Sequence, residues 1–138
     1  MKAWLRRLTG REEPPEPLRG ARPVRREKTY SAENGYVYQY YYEGYRASRG
    51  RDEPGDDHVF SVTSDRTTRF PATVFLSRRV VETWERENGR ELNATEHYAL
   101  VKMRLFQAFD DETQLAPDSP AVVVSQADVA EHASTLDL

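Results

Sequence analysis

Apolar and polar positions alternate through the middle of the chain. Tyr36, Tyr38, Tyr40 and Tyr42 occupy every second position, which in an extended strand sets all four rings on one face. The positions between them, Val37, Gln39, Tyr41 and Glu43, mix polar with apolar character as a solvent face does. The tyrosine face is therefore read as the inner one, although a platform for stacking bases has the same spacing. The strand is predicted from about Tyr36 to Ala47, with Gly44 permitting a bulge that moves Tyr45 and Arg46 across the faces. Before it, Glu33-Asn34-Gly35 signals a tight hairpin turn after Tyr30.

Two further strands follow the same logic. Phe60 and Val62 alternate with Ser61 and Thr63 between His58 and Ser64, and Phe70, Ala72, Val74 and Leu76 share a face between Arg69 and Leu76. Residues 48–57 offer turn formers and charges but nothing to bury, so they are expected to form a mobile loop. Pro71 places the last strand at an edge or turns its nitrogen outward.

The period then changes to that of helices. Ser77 caps the first, Leu76 and Val81 form a hydrophobic staple, and Gly89 ends it. Asn93 with Glu96 forms a capping box for a second helix running to about Phe109, where the acids Asp110, Asp111 and Glu112 oppose the helix dipole and predict fraying or pairing with a cation. Beyond Pro117 and Pro120, Val122 to Val124 suit an edge strand and Ser125-x-x-Asp128 a short capped helix. The fold class expected is α+β: an antiparallel three- to four-stranded meander sheet with two helices packed on one face. The domain reading is a flexible arm over 1–28, a core over 29–112 and an acidic tail over 113–138.

Composition narrows the picture. The chain has 138 residues, 38% apolar and 31% charged, which suits one modest core. It contains no cysteine, which excludes disulfides and thiolate chemistry and fits a cytoplasmic location. The net charge of −3 conceals a polarity, with residues 1–28 at +5, 29–109 at −1 and 110–138 at −7. Opposite ends of this kind suit protein partners or self-association. The arm, with Pro14, Pro15, Pro17 and Pro23, is expected to be disordered or polyproline-like. It holds an Arg11-x-x-Pro14-x-x-Pro17 spacing that is more simply a spacer than a ligand. Trp4, Leu5 and Leu8 share a side of one or two turns, too short for membrane contact through residues 1–8 to be favoured.

Candidate chemistry is sparse. Lys102 falls inside the apolar arc of the second helix, between Phe109 and Phe106, where a lysine stem ordinarily lies on apolar surface and its ammonium finds water, a carboxylate or a phenol. A site, if present, is placed where Lys102 meets the tyrosine wall. His58, His97 and His132 lack metal-ligand spacing, and Asp56-Asp57-His58 is read as a solvated loop. His97 is expected to be an exposed helix residue. No phosphate loop or nucleophile elbow is present, and no cofactor or metal is called for.

The leading expectation is a non-catalytic protein-interaction module. The alternative is binding of single-stranded nucleic acid or RNA, with Tyr36, Tyr38, Tyr40 and Tyr42 stacking on bases and Arg46 among the phosphate contacts. A small-ligand or enzymatic site around Lys102 comes third.

Overall fold

The computed structural model describes residues 16–111 and 115–138. The Trp4-Leu5-Leu8 stretch, most of the Arg11-to-Pro17 spacing and Glu112 lie outside them. Five strands and three helices follow in the order β1 (Lys28–Ser31), β2 (Val37–Ala47), β3 (Gly55–Thr63), β4 (Phe70–Ser77), α1 (Arg78–Asn88), α2 (Ala94–Asp110), β5 (Val122–Val123) and α3 (Gln126–Thr135). The strands lie side by side in chain order, antiparallel from β1 to β4 and parallel between β4 and β5.

The class is α+β, as the alternation predicts, but the sheet and its cover are larger than expected. Val122 and Val123 pair with Val74 and Phe75, making a fifth, parallel strand. That pairing leaves Pro71 on the uncovered length of β4, where its missing N–H costs no ladder bond. The third helix is capped by Ser125 and Asp128 and buries Val129 and Ala133. Leu115, Val124, Val129 and Ala133 all belong to the central core, so residues 115–138 complete the domain that the sequence reading had closed at residue 112.

The two predicted helix starts form as their local chemistry dictates. The Ser77 side chain accepts from the Val80 N–H, and Gly89 ends α1 in the left-handed conformation at φ 67°. Asn93 and Glu96 make the reciprocal capping box of α2. Val80, Val81 and Trp84 of α1 and Leu100, Val101, Leu105 and Phe109 of α2 supply the buried faces.

The β1–β2 hairpin clasps the far end of α2. Tyr30 donates its hydroxyl proton to Asp110 Oδ2 at 2.7 Å, the Glu33 N–H donates to Asp110 Oδ1, and the Asn34 amide donates to the carbonyls of Phe109 and Asp111. Of the acids expected to fray this terminus or attract a cation, Asp110 thus meets neutral donors instead. Burial, reinforced by Asp110, pushes the Tyr30 phenol up to about 12.

β3 begins at Gly55, three residues before the predicted start. A side chain at Gly55 would press on the Leu76 carbonyl and the Phe75 ring, so glycine lets the two strands close at this corner. Only residues 48–54 remain as the loop.

Candidate functional site

The site arises from a defect in the sheet edge. β1 pairs with β2 as far as Lys28 opposite Tyr40, and the register against β3 shifts between Tyr42 and Gly44. Gly44 has φ 126°, a conformation that favours glycine, and its missing side chain makes room for the Arg19 carbonyl. Arg19 and Tyr45 then exchange two backbone hydrogen bonds of 2.8 Å. The arm is therefore anchored at Arg19 and again at Lys28. Residues 20–27 cross the edge of β2 between the two anchors, where the sequence reading expects disorder or a free polyproline spacer. Gly44→Ala combines a strained φ with a clash against Arg19. It is expected to cost about 1–3 kcal/mol and to raise amide exchange at Arg19 and Tyr45, whereas unchanged protection would show that the bulge does not hold the arm.

The bulge also brings two rings to one side. Tyr42 and Tyr45, of opposite parity, both reach His58, with ring centroids at 6.1 and 5.5 Å. This is the exchange of faces that Gly44 suggested. Between these rings, the arm and the start of α2 lies an inner cavity of about 260 Å³. Gly20 and Arg22 of the arm, Asp56 and His58 of β3, and Ala94, Thr95, His97 and Tyr98 of α2 complete its wall. A second hollow of about 670 Å³ adjoins it, with Arg22, Arg25, Arg26 and Lys28 on one side and Tyr40, Tyr41, Tyr42 and Tyr98 on the other.

The electrostatics of the two hollows differ. In the inner cavity, Tyr42 Oη and His58 Nδ1 lie 2.8 Å apart. Burial, with a smaller push from His97, lowers His58 to about 4, so the ring is neutral at pH 7. Burial also lowers His97, against the pull of Glu85, Asp56 and Glu96. Its Nε2 is buried with no hydrogen-bond partner among the described residues. Burial likewise raises the Tyr42 phenol.

Around the outer hollow, cations gather on aromatic faces. The Arg22 guanidinium lies 5.5 Å from the centre of the Tyr98 ring and Lys102 Nζ 5.3 Å from it. Burial and the neighbouring Lys28 and Arg22 lower the Lys102 ammonium. Arg25 is paired with Glu43 at 3.2 Å and sits over Tyr41. Among the described residues, Arg22, Arg26, Lys28 and Lys102 have no carboxylate partner.

The residues singled out from the sequence separate. Tyr38 and Tyr40 are 0% and 4% exposed, in the core, while Tyr36 is 42% exposed at the hairpin. Tyr42 alone of the four joins the inner cavity. Arg46 lies opposite Asp57 near the end of β2 and lines neither hollow. Lys102 stands by Tyr98 with no hydrogen bond to a carboxylate or phenol among the described residues. His97, expected to be exposed, is half-buried in the cavity wall.

Sequence reasoning missed His58, His97 and Arg22 as a group. His58 shares parity with Phe60 and Val62, a signal that it faces inward. Arg22 carries no such signal. No group of three or more His, Asp or Glu side chains among the described residues converges as a metal site would require. The chain matches no protein-family model, curated protein or solved structure, so the functional argument rests on the site's own chemistry.

Proposed function

We propose that this chain is a non-catalytic interaction module that holds an extended acidic segment of a partner protein in the outer hollow. The observation behind it is the cluster of four cations with no carboxylate partner among the described residues, Arg22, Arg26, Lys28 and Lys102, around a trough floored by tyrosines. Uncompensated like charges brought together raise one another's energy, and an acidic segment relieves that cost while its apolar groups cover Tyr41 and Tyr98. A cytoplasmic location belongs to the same reading. No helix among the described residues is long and apolar enough to cross a membrane.

Nucleic acid is the less favoured ligand. Burial of Tyr38 and Tyr40 removes the middle of the stacking platform, and the net charge of −3 opposes a polyanion over most of the surface. Catalysis by Lys102 lacks a hydrogen-bonded proton-transfer partner among the described residues, its ammonium lying over the Tyr98 ring.

The test is a fluorescence-anisotropy titration of a labelled peptide alternating Asp or Glu with Tyr, beside a basic peptide and single-stranded oligonucleotides, at about 50 and 200 mM salt. The acidic peptide is expected to bind best and to weaken with salt, and Arg26→Glu with Lys28→Glu to reduce its affinity about tenfold or more. Binding of oligonucleotide in preference to peptide would transfer the site to the nucleic-acid reading.

A further inference from the structure

The inner cavity differs from the outer hollow in shape and chemistry. We infer that it is a binding site for a small planar aromatic acid, a ring with an anionic group at one end and a hydroxyl donor at the other. Its volume of about 260 Å³ lies below the range for drug-sized ligands and suits a molecule of about ten non-hydrogen atoms.

The walls select the ring. Tyr42, Tyr45 and His58 lie within 6.1 Å of one another by centroid along the pairs through His58, and Tyr98 meets Tyr42 edge-on at 4.8 Å. A flat aromatic ligand fits among such faces with offset or edge contacts.

The polar lining selects the substituents. Arg22, held over Tyr98 with no carboxylate among the described residues, lines the cavity together with Ala94 and Thr95 of the first turn of α2. A fixed guanidinium next to the positive end of a helix favours an anion. The Asp56 carboxylate and the His97 ring line it too, and the His97 Nε2 is buried with no hydrogen-bond partner among the described residues. A buried polar atom without a partner carries a desolvation cost that a ligand's hydrogen-bonding group removes. Neutral His97 with Nε2 unprotonated accepts a hydroxyl proton, as Asp56 does. His58, 4% exposed and tied to Tyr42, keeps that wall in place.

This inference stands independently of the peptide reading. The two hollows share Arg22, Tyr42 and Tyr98, but Arg26 and Lys28 belong to the outer one alone, and Asp56, His58 and His97 to the inner one alone.

The experiment is a nuclear magnetic resonance titration of the isotope-labelled full chain with 4-hydroxybenzoate, benzoate and phenol in turn, following the His97 ring and the Tyr45 amide. 4-Hydroxybenzoate is expected to give saturable shifts at both positions, with benzoate and phenol each about tenfold weaker because each lacks one of the two end groups. Arg22→Gln is expected to weaken 4-hydroxybenzoate about tenfold or more. His97→Phe should weaken 4-hydroxybenzoate towards the affinity of benzoate while leaving benzoate itself unchanged, a pattern that general loosening of the fold does not produce. Arg26→Glu with Lys28→Glu, which tests the outer hollow, should leave 4-hydroxybenzoate binding within about threefold. Absence of saturable shifts up to about 10 mM ligand, or equal losses for 4-hydroxybenzoate and benzoate in His97→Phe, would overturn the assignment.

Discussion

Phe109→Ala is expected to destabilise the protein by about 3–5 kcal/mol, the range for removing a fully buried aromatic ring. Phe109 is 0% exposed and stacks on Tyr38 at 4.2 Å with 9° between the ring planes. It also meets Tyr30 at 5.6 Å, Tyr40 at 6.1 Å and Phe106 at 6.4 Å. One ring thus joins β1, β2 and α2, and its carbonyl accepts from the Asn34 side chain that fastens the hairpin. Against a typical total stability of about 5–15 kcal/mol, the loss is a large fraction. Urea unfolding measures it as a lower midpoint at unchanged slope. A midpoint shift worth less than about 1 kcal/mol would mean that the tyrosine wall holds together without this ring.

The second large effect is a dependence of stability on pH that originates at His58. Its pKa falls from 6.5 to about 4 on folding, chiefly through burial. Between those values the unfolded chain binds the proton and the folded one does not, so acidification favours unfolding. The contribution is fully present above pH 6.5 and is lost progressively as pH falls to about 4; that 2.5-unit interval corresponds to about 3 kcal/mol. His97, also lowered by burial, acts in the same direction. Asp65, Glu53 and Glu96 have lowered values as well, and their influence falls below the ordinary carboxylate range. Asp57, raised by burial, acts in the opposite direction, so urea midpoints at several pH values between about 5 and 7.5 isolate His58 by comparison with a variant that lacks it. His58→Phe is expected to flatten most of the slope while losing the bond to Tyr42. An unchanged slope in that variant would place the titration elsewhere.

What the sequence reveals of this molecule is chiefly local. Ser77, Gly89, Asn93 with Glu96 and Ser125 with Asp128 announce helix ends because each satisfies its neighbours' backbone groups within a few residues. The parity of Tyr38 and Tyr40 with a polar opposite face marks them as core, which is where they lie. Contacts distant in sequence are less legible. Two residues of β5 carry no alternation to read, and their parallel pairing depends on the position of β4 after two helices. The acids at the end of α2 suggest a cation until the fold brings Tyr30 to the Asp110 carboxylate and Asn34 to the last carbonyls. The cavity is least legible of all, because the bulge at Gly44 has to form before Arg22, His58 and His97 share one space.

The outer hollow is the centre of the functional account, and mapping a bound acidic peptide onto the labelled chain by amide chemical shifts tests it most directly. The account predicts shifts concentrated at residues 22–26, Lys28, Tyr40 to Tyr42 and Tyr98, the lining of that hollow. A peptide that binds with its shifts gathered elsewhere, along β5 or the exposed face of α1 for example, would contradict it.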